Sequence, residues 1–257
     1  MTLTLAYGAD PFQFGELRLP AGAGPHPVVI VIHGGFWRAR YDLTHIRPLC
    51  EALTAAGVAT WSIEYRRIGN PGGGWPGTLL DVAQAASHLR TLALDYPLDL
   101  ARVVAMGHSA GGHLALWLAG AARVPAGDPL HVVEPLPIHA AISLAGVADL
   151  RRAWELRLSN NVVEDFLGGA PAQVPERYDS SSPIELLPLG AKQVLIHGVE
   201  DDIVPIEISR RYHEAATRLG DEVALHELPR LGHFEPIEPG SAAWPAVRDA
   251  VLGLVGG

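Results

Sequence analysis

Along this chain short apolar runs alternate with longer stretches whose apolar positions recur every three to four residues. Val28–Ile32 is a run of five β-branched residues, the pattern of a strand buried on both faces. Val58–Tyr65, Val103–Met106, Ala140–Leu144, Gln193–His197 and Val223–Leu228 also predict strands. Between them Ile46–Ala56, Leu79–Leu94, Ile206–Leu219 and Ala242–Leu254 predict helices, the first stopping at Gly57, a natural C′ residue. Phe14–Pro20 alternates loosely and predicts an edge strand, followed by a Gly/Pro turn over Ala21–Pro27. Strands alternating with helices from Val28 onward predict an α/β fold, with one mostly parallel sheet covered on both faces.

Two stretches depart from this rhythm. Val124–Pro137 is rich in proline and reads as a connection. Gly146–Pro188 is the least regular segment, with Trp154, Phe166 and Tyr178 scattered through it. It reads either as a cap-like insertion over a pocket or as ordinary surface helices and a loop. With no internal repeat and no boundary, residues 1–257 are taken as a single domain.

Composition narrows the function classes. The net charge is −9 and Lys192 is the only lysine, so no basic run exists to track phosphates and nucleic acid is not an expected partner. Cys50 is alone, which excludes an intrachain disulfide and a cysteine-rich zinc site. The chain has twelve histidines but no H-E-x-x-H pattern, since His213-Glu214 and His131–Glu134 each lack the second histidine. No metal is therefore expected. No segment reaches membrane-spanning length, and the first residues lack a basic region followed by an apolar core, so a cytoplasmic protein with no membrane partner is expected. Gly72–Gly77 formally satisfies G-x-G-x-x-G, but loop residues separate it from the preceding strand and Pro76 removes an N–H. No cofactor is expected, and Ile68–Gly77 reads as a flexible loop.

The chemistry centres on Arg102–His113, RVVAMGHSAGGH. An apolar strand runs into Gly107-His108-Ser109-Ala110-Gly111, and good helix formers follow. Strand, G-x-S-x-G and helix is the context of a nucleophile elbow, although a serine before a helix also serves as an ordinary N-cap. A nucleophilic serine needs a base, and the base needs an orienting carboxylate, both placed after later strands. Asp201 and Asp202 follow one such strand, with Asp149 after the preceding strand as the next contender. His233 follows the last strand. His33, His108, His197 and His226 sit in or beside strands and read as structural, and His113 shares a helix face with Ser109 and reads as packing. His33-Gly34-Gly35-Phe36-Trp37 follows a buried strand. There the N–H groups of Gly35 and Phe36, with that of Ala110, suit an oxyanion hole.

These motifs give the chain a specific resemblance from about Val28 to the C-terminus. It resembles the α/β-hydrolase superfamily, and HGGFW matches the HGGxW motif of the kynurenine formamidase (arylformamidase) and esterase branch. The resemblance implies the α/β-hydrolase fold, with Ser109, Asp201 and His233 as catalytic triad and Gly35 and Phe36 as oxyanion donors. It implies a serine hydrolase that cleaves a small acyl group from an aryl formamide or a short ester. A general carboxylesterase is the alternative, and a prolyl-oligopeptidase-like peptidase or a non-catalytic binding protein ranks lower. The expected partner is a small-molecule ester or amide whose ring meets Trp37, Trp154, Phe166 and Phe234. Sequence leaves the oligomeric state open.

Overall fold

In the computed structural model, which describes residues 2–256, the strands are β1 (Thr2–Ala6), β2 (Phe14–Arg18), β3 (His26–Ile32), β4 (Ala59–Ile63), β5 (Leu98–His108), β6 (Ala140–Leu144), β7 (Lys192–Gly198) and β8 (Val223–Leu228). They form one sheet in the order β1-β2-β4-β3-β5-β6-β7-β8. From β4 through β8 every neighbouring pair is parallel, while β1–β2 and β2–β4 are antiparallel. The Phe14–Pro20 strand is thus not an edge, because β1 pairs outside it. The Thr2-Leu3-Thr4-Leu5 of β1 alternates polar and apolar with period two and leaves the threonines exposed, as a half-covered edge strand does.

The helices are α1 (Arg47–Ala55), α2 (Gly77–Asp95), α3 (Ala110–Gly120), α4 (Leu150–Glu155), α5 (Leu158–Leu167), α6 (Pro175–Ser181), α7 (Glu207–Arg218) and α8 (Trp244–Val255). The period-two alternation of β3 divides the core in two. Val28, Ile30 and Ile32 join the cluster that packs with α2, α3 and α7, whereas Val29 and Val31 face Leu49, Cys50 and Leu53 of α1 and Val247 and Val251 of α8. Helices therefore cover both faces, as an apolar run with no polar face requires. This is the α/β-hydrolase fold.

The irregular segment 146–188 contains α4, α5 and α6, with residues 159–161 in left-handed conformation inside α5. Leu150, Val162, Phe166 and Tyr178 bury themselves in the larger core cluster. The loop 68–77 is pinned rather than free: Gly73 N–H donates to the Asn70 carbonyl at 3.0 Å and Trp75 N–H to the Phe166 carbonyl at 2.8 Å.

Candidate active site

Strand β5 ends at His108 and α3 begins at Ala110, leaving Ser109 alone to turn the chain, at φ 56° and ψ −119°. A non-glycine residue in this region is strained, and the neighbours hold it there. Ser109 N–H donates to the Leu144 carbonyl at 2.8 Å, and the Ser109 carbonyl accepts from His113 N–H at 3.2 Å. The flanking glycines let helix and strand approach. A Cβ on Gly111 would lie 2.0 Å from the Ile32 carbonyl oxygen, and one on Gly107 would lie 2.1 Å from that of Gly111. Ser109 makes no side-chain cap hydrogen bond, which sets aside the N-cap reading.

Asp201 and His233 arrive from the loops after β7 and β8. His233 Nδ1 donates to Asp201 Oδ2 at 2.7 Å, so the proton sits on Nδ1 and Nε2 is left with its lone pair. The other oxygen, Oδ1, accepts from the backbone N–H groups of Ile203 at 2.9 Å and Val204 at 2.8 Å. His197 Nε2, which sequence reasoning set aside as structural, donates to Oδ2 at 3.1 Å and to the Val204 carbonyl at 2.8 Å. Burial alone would raise the Asp201 carboxyl. The hydrogen bonds from His197 and His233, with the charge of His233 and the Val204 N–H, outweigh it and hold the carboxyl well below the usual range. Asp202 is exposed, and Asp149 caps α4 by accepting from Arg152 N–H at 2.9 Å.

Ser109 and His233 line one cavity of about 540 Å³ together with Gly35, Phe36 and His108. Among the described residues no protein group hydrogen-bonds the Ser109 hydroxyl, so it is available to a ligand. His108 Nε2 donates to the His233 carbonyl at 2.8 Å, tying the strand that carries the serine to the loop that carries the base. Burial, reinforced by the neighbouring His233, pushes His108 down to about 3, so the ring is neutral and Nδ1 is a lone pair.

The turn after β3 holds Gly35, Phe36 and Trp37 at φ 112°, 51° and 55°, all left-handed. A Cβ on Gly34 would come within 3.1 Å of Ser109 Cβ, so this turn lies against the elbow. Among the described residues no acceptor takes the N–H of Gly35 or Phe36, and Ala110 N–H sits unpaired at the start of α3. A buried network braces the turn. His33 bonds the Gly34 carbonyl through Nδ1 at 2.8 Å and Glu64 through Nε2 at 3.0 Å, while Tyr65 O–H donates to the His33 carbonyl at 2.8 Å.

Of the four aromatic residues expected in the pocket, only Phe234 lines the cavity. Trp37 is fully buried and stacks on Phe166 with ring centroids 4.5 Å apart, and its indole N–H donates to His113 Nδ1 at 3.2 Å. Its left-handed backbone turns the indole inward, where apolar area is better buried than left at a wet mouth. Trp154 instead donates to Glu164 at 3.1 Å, joining α4 to α5. No residue of 146–188 lines this cavity, and Phe166 of that segment packs on Trp37 instead. The missed wall residues include Tyr41, His45, Ile203, Ile237 and Glu238, which lie in loops and short turns where no periodicity marks them, and Pro48, in the first turn of α1. Among the described residues no cluster of three or more metal-ligating side chains occurs, and no helix is long and apolar enough to cross a membrane.

Comparison with known proteins places the geometry in context. The BD-FAE family profile matches residues 16–216. Esterase LipC of Mycobacterium tuberculosis is 31% identical over 261 residues, covering 96% of this chain and 63% of LipC. Esterase LipQ of the same organism is 29% identical over 211 residues, covering 80% of this chain and 50% of LipQ. The chain thus spans half to two thirds of the length of these relatives. Esterase B of Lactobacillus rhamnosis superimposes with a TM-score of 0.84 at 22% identity, covering all of this chain and 86% of that one. The esterase Est2 of Thermogutta terrifontis does so with 0.79 at 23% identity, covering 99% and 94%.

Proposed function

This chain belongs to the BD-FAE family, and from that premise we propose that it is a serine carboxylesterase acting on small neutral esters. The observation that carries the reading is the convergence on one cavity of a left-handed serine, an imidazole oriented by a buried carboxylate, and unpaired backbone N–H groups. Ser109 Oγ attacks the ester carbonyl carbon while His233 Nε2 takes its proton, and Asp201 stabilises the imidazolium formed. The tetrahedral oxyanion is met by the N–H groups of Gly35, Phe36 and Ala110. His233 returns the proton to the departing alcohol, and water then attacks the acyl-serine by the same route. In the resting state serine and imidazole need only close to hydrogen-bond reach, which resting sites often leave until substrate is bound.

The cavity walls favour an ester over the formamide of the kynurenine branch. Tyr41, Phe234, Ile203 and Ile237 offer apolar surface, and Glu238 is the one acidic side chain. Among the described residues no arginine or lysine lines the cavity to pair the carboxylate of N-formylkynurenine. The resemblance to that branch rests on HGGFW, whose tryptophan is a core residue here.

The test is a hydrolysis panel of 4-nitrophenyl acetate, butyrate and octanoate beside N-formylkynurenine, with wild type and Ser109→Ala treated with an organophosphonate. Turnover of the acetyl or butyryl ester, phosphonate on Ser109, and loss of about 10⁴-fold or more in kcat for the variant are expected. N-formylkynurenine turned over faster than any ester would reinstate the formamidase reading. No phosphonate adduct would end the serine mechanism.

A further inference from the structure

We propose that His197 is a positioning residue that tunes His233 through Asp201, with Ser209 fixing the ring's orientation; this rests on the triad reading above. Asp201 Oδ2 is shared between two imidazoles, His233 Nδ1 at 2.7 Å and His197 Nε2 at 3.1 Å. The second contact is built rather than incidental. His197 is fully buried at the end of β7, and its Nε2 meets only acceptors, the carboxylate and the Val204 carbonyl, so it must carry hydrogen. Its Nδ1 lies 2.8 Å from the hydroxyl of Ser209, buried on α7, which can donate to it and hold the tautomer. The end of β7 and the loop that follows it therefore carry a clamp and the carboxylate it holds, four residues apart.

The clamp has a consequence with a definite sign. An oxygen that accepts two N–H bonds shares its negative charge between them and attracts the His233 proton less than an oxygen accepting one. Removing the His197 donor leaves Asp201 a stronger partner for the His233 imidazolium, so the imidazole gives up its proton at higher pH. The site then becomes competent later on the alkaline side, and the acid limb of activity moves up. The other groups facing the pair do not supply this effect: His45, on the same cavity as His233, is held toward its neutral form by burial, and Glu238 lines that cavity without a bond to Asp201 or His233. His108, 4.6 Å from His233 between ring centroids, is held neutral by burial. Glu235 accepts from Gly232 N–H at 3.1 Å, Glu227 pairs with Arg210 at 2.7 Å on the outer strand, and Asp202 is exposed.

The experiment compares His197→Phe, His197→Asn and His197→Gln in the full chain. Gln can present an amide N–H near the Nε2 position, whereas Asn reaches only the Nδ1 position and Phe presents no donor. The His233 titration is followed by NMR of ¹⁵N-labelled histidine, and kcat/KM is measured against pH with 4-nitrophenyl butyrate. An upward shift of the midpoint by about 0.5–1 pH unit in Phe and Asn, with Gln close to wild type, is expected. A merely structural histidine would lower activity at every pH without moving the midpoint. Unshifted or downward midpoints in Phe and Asn would overturn the proposal. If Phe does not fold, the Asn and Gln pair decides. The NMR readout needs no turnover, so failure of the esterase reading, seen as an unlabelled wild-type Ser109, is distinguishable from failure of this one.

Discussion

Asp201→Asn changes one atom and should cost far more than its size suggests. The carboxylate receives N–H groups on both oxygens, two imidazoles on Oδ2 and two backbone amides on Oδ1. An asparagine must put its NH₂ at one of these places. At the Oδ1 place it faces the fixed N–H groups of Ile203 and Val204, which cannot turn away, and leaves two buried donors unpaired at about 1–3 kcal/mol each. At the Oδ2 place it faces the imidazoles, and His197 can keep its bond to the Val204 carbonyl. The second orientation wins. There the amide donates to His233 Nδ1, which must become an acceptor, so the proton moves to Nε2 and the base meets Ser109 already protonated. The expected loss is about 10⁴ in kcat, with a stability loss on the order of 2–3 kcal/mol for the opposed His197 N–H. Because Asp201 is held below its unfolded range, its stabilisation is present above about pH 4 and fades as pH falls through the lower folded value. The stability gap between wild type and variant should therefore close in acid. The measurements are steady-state hydrolysis of 4-nitrophenyl butyrate and urea unfolding from neutral pH downward, with exposed Asp202→Asn as control. More than about 1% residual activity, or an equal loss in the control, would refute the reasoning.

Two further outcomes follow from the packing. Gly111→Ala places a Cβ against the Ile32 carbonyl and should cost roughly 3 kcal/mol or more in urea unfolding, with activity lost as the elbow is forced open. Phe166→Ala removes the ring that Trp37 stacks on and should cost about 3–5 kcal/mol. It should lower kcat more than it raises KM, because the stack supports the turn and does not touch the cavity; a rise in KM alone would show that segment 146–188 contacts substrate.

What the sequence made legible was whatever depends on local pattern. The β-branched run of β3, the apolar strand before Ser109 and the glycines around it announced the sheet and the elbow, because close approach of backbone demands those residues. Chain order pointed to Asp201 or Asp202 and to His233 after successive late strands, and only the resemblance chose between the two aspartates. Side-chain direction was not legible. Trp37 stands beside the unpaired N–H groups in sequence but points into the core, since three left-handed residues reverse the turn and no pattern of residue types announces them. His197 looked like any strand-end histidine, and its bond to Asp201 depends on a loop that doubles back by four residues. The strand β1 was legible and missed: Thr2-Leu3-Thr4-Leu5 alternates with period two, but five residues with only half-buried leucines stand out little beside the fully apolar runs.

The left-handed turn through Gly35, Phe36 and Trp37 bears on more than geometry. Two of those residues, like Ser109, carry side chains in a region that costs about 1 kcal/mol or more each, and the buried indole and the Glu64 network hold them there. That strain is met once, when the chain folds, and not at each catalytic cycle. On the esterase reading proposed above, the N–H groups of Gly35 and Phe36 stand unpaired among the described residues before an ester arrives. The free energy of its apolar contacts then goes to aligning the carbonyl, and the water that would attack the acyl-serine meets the same amides.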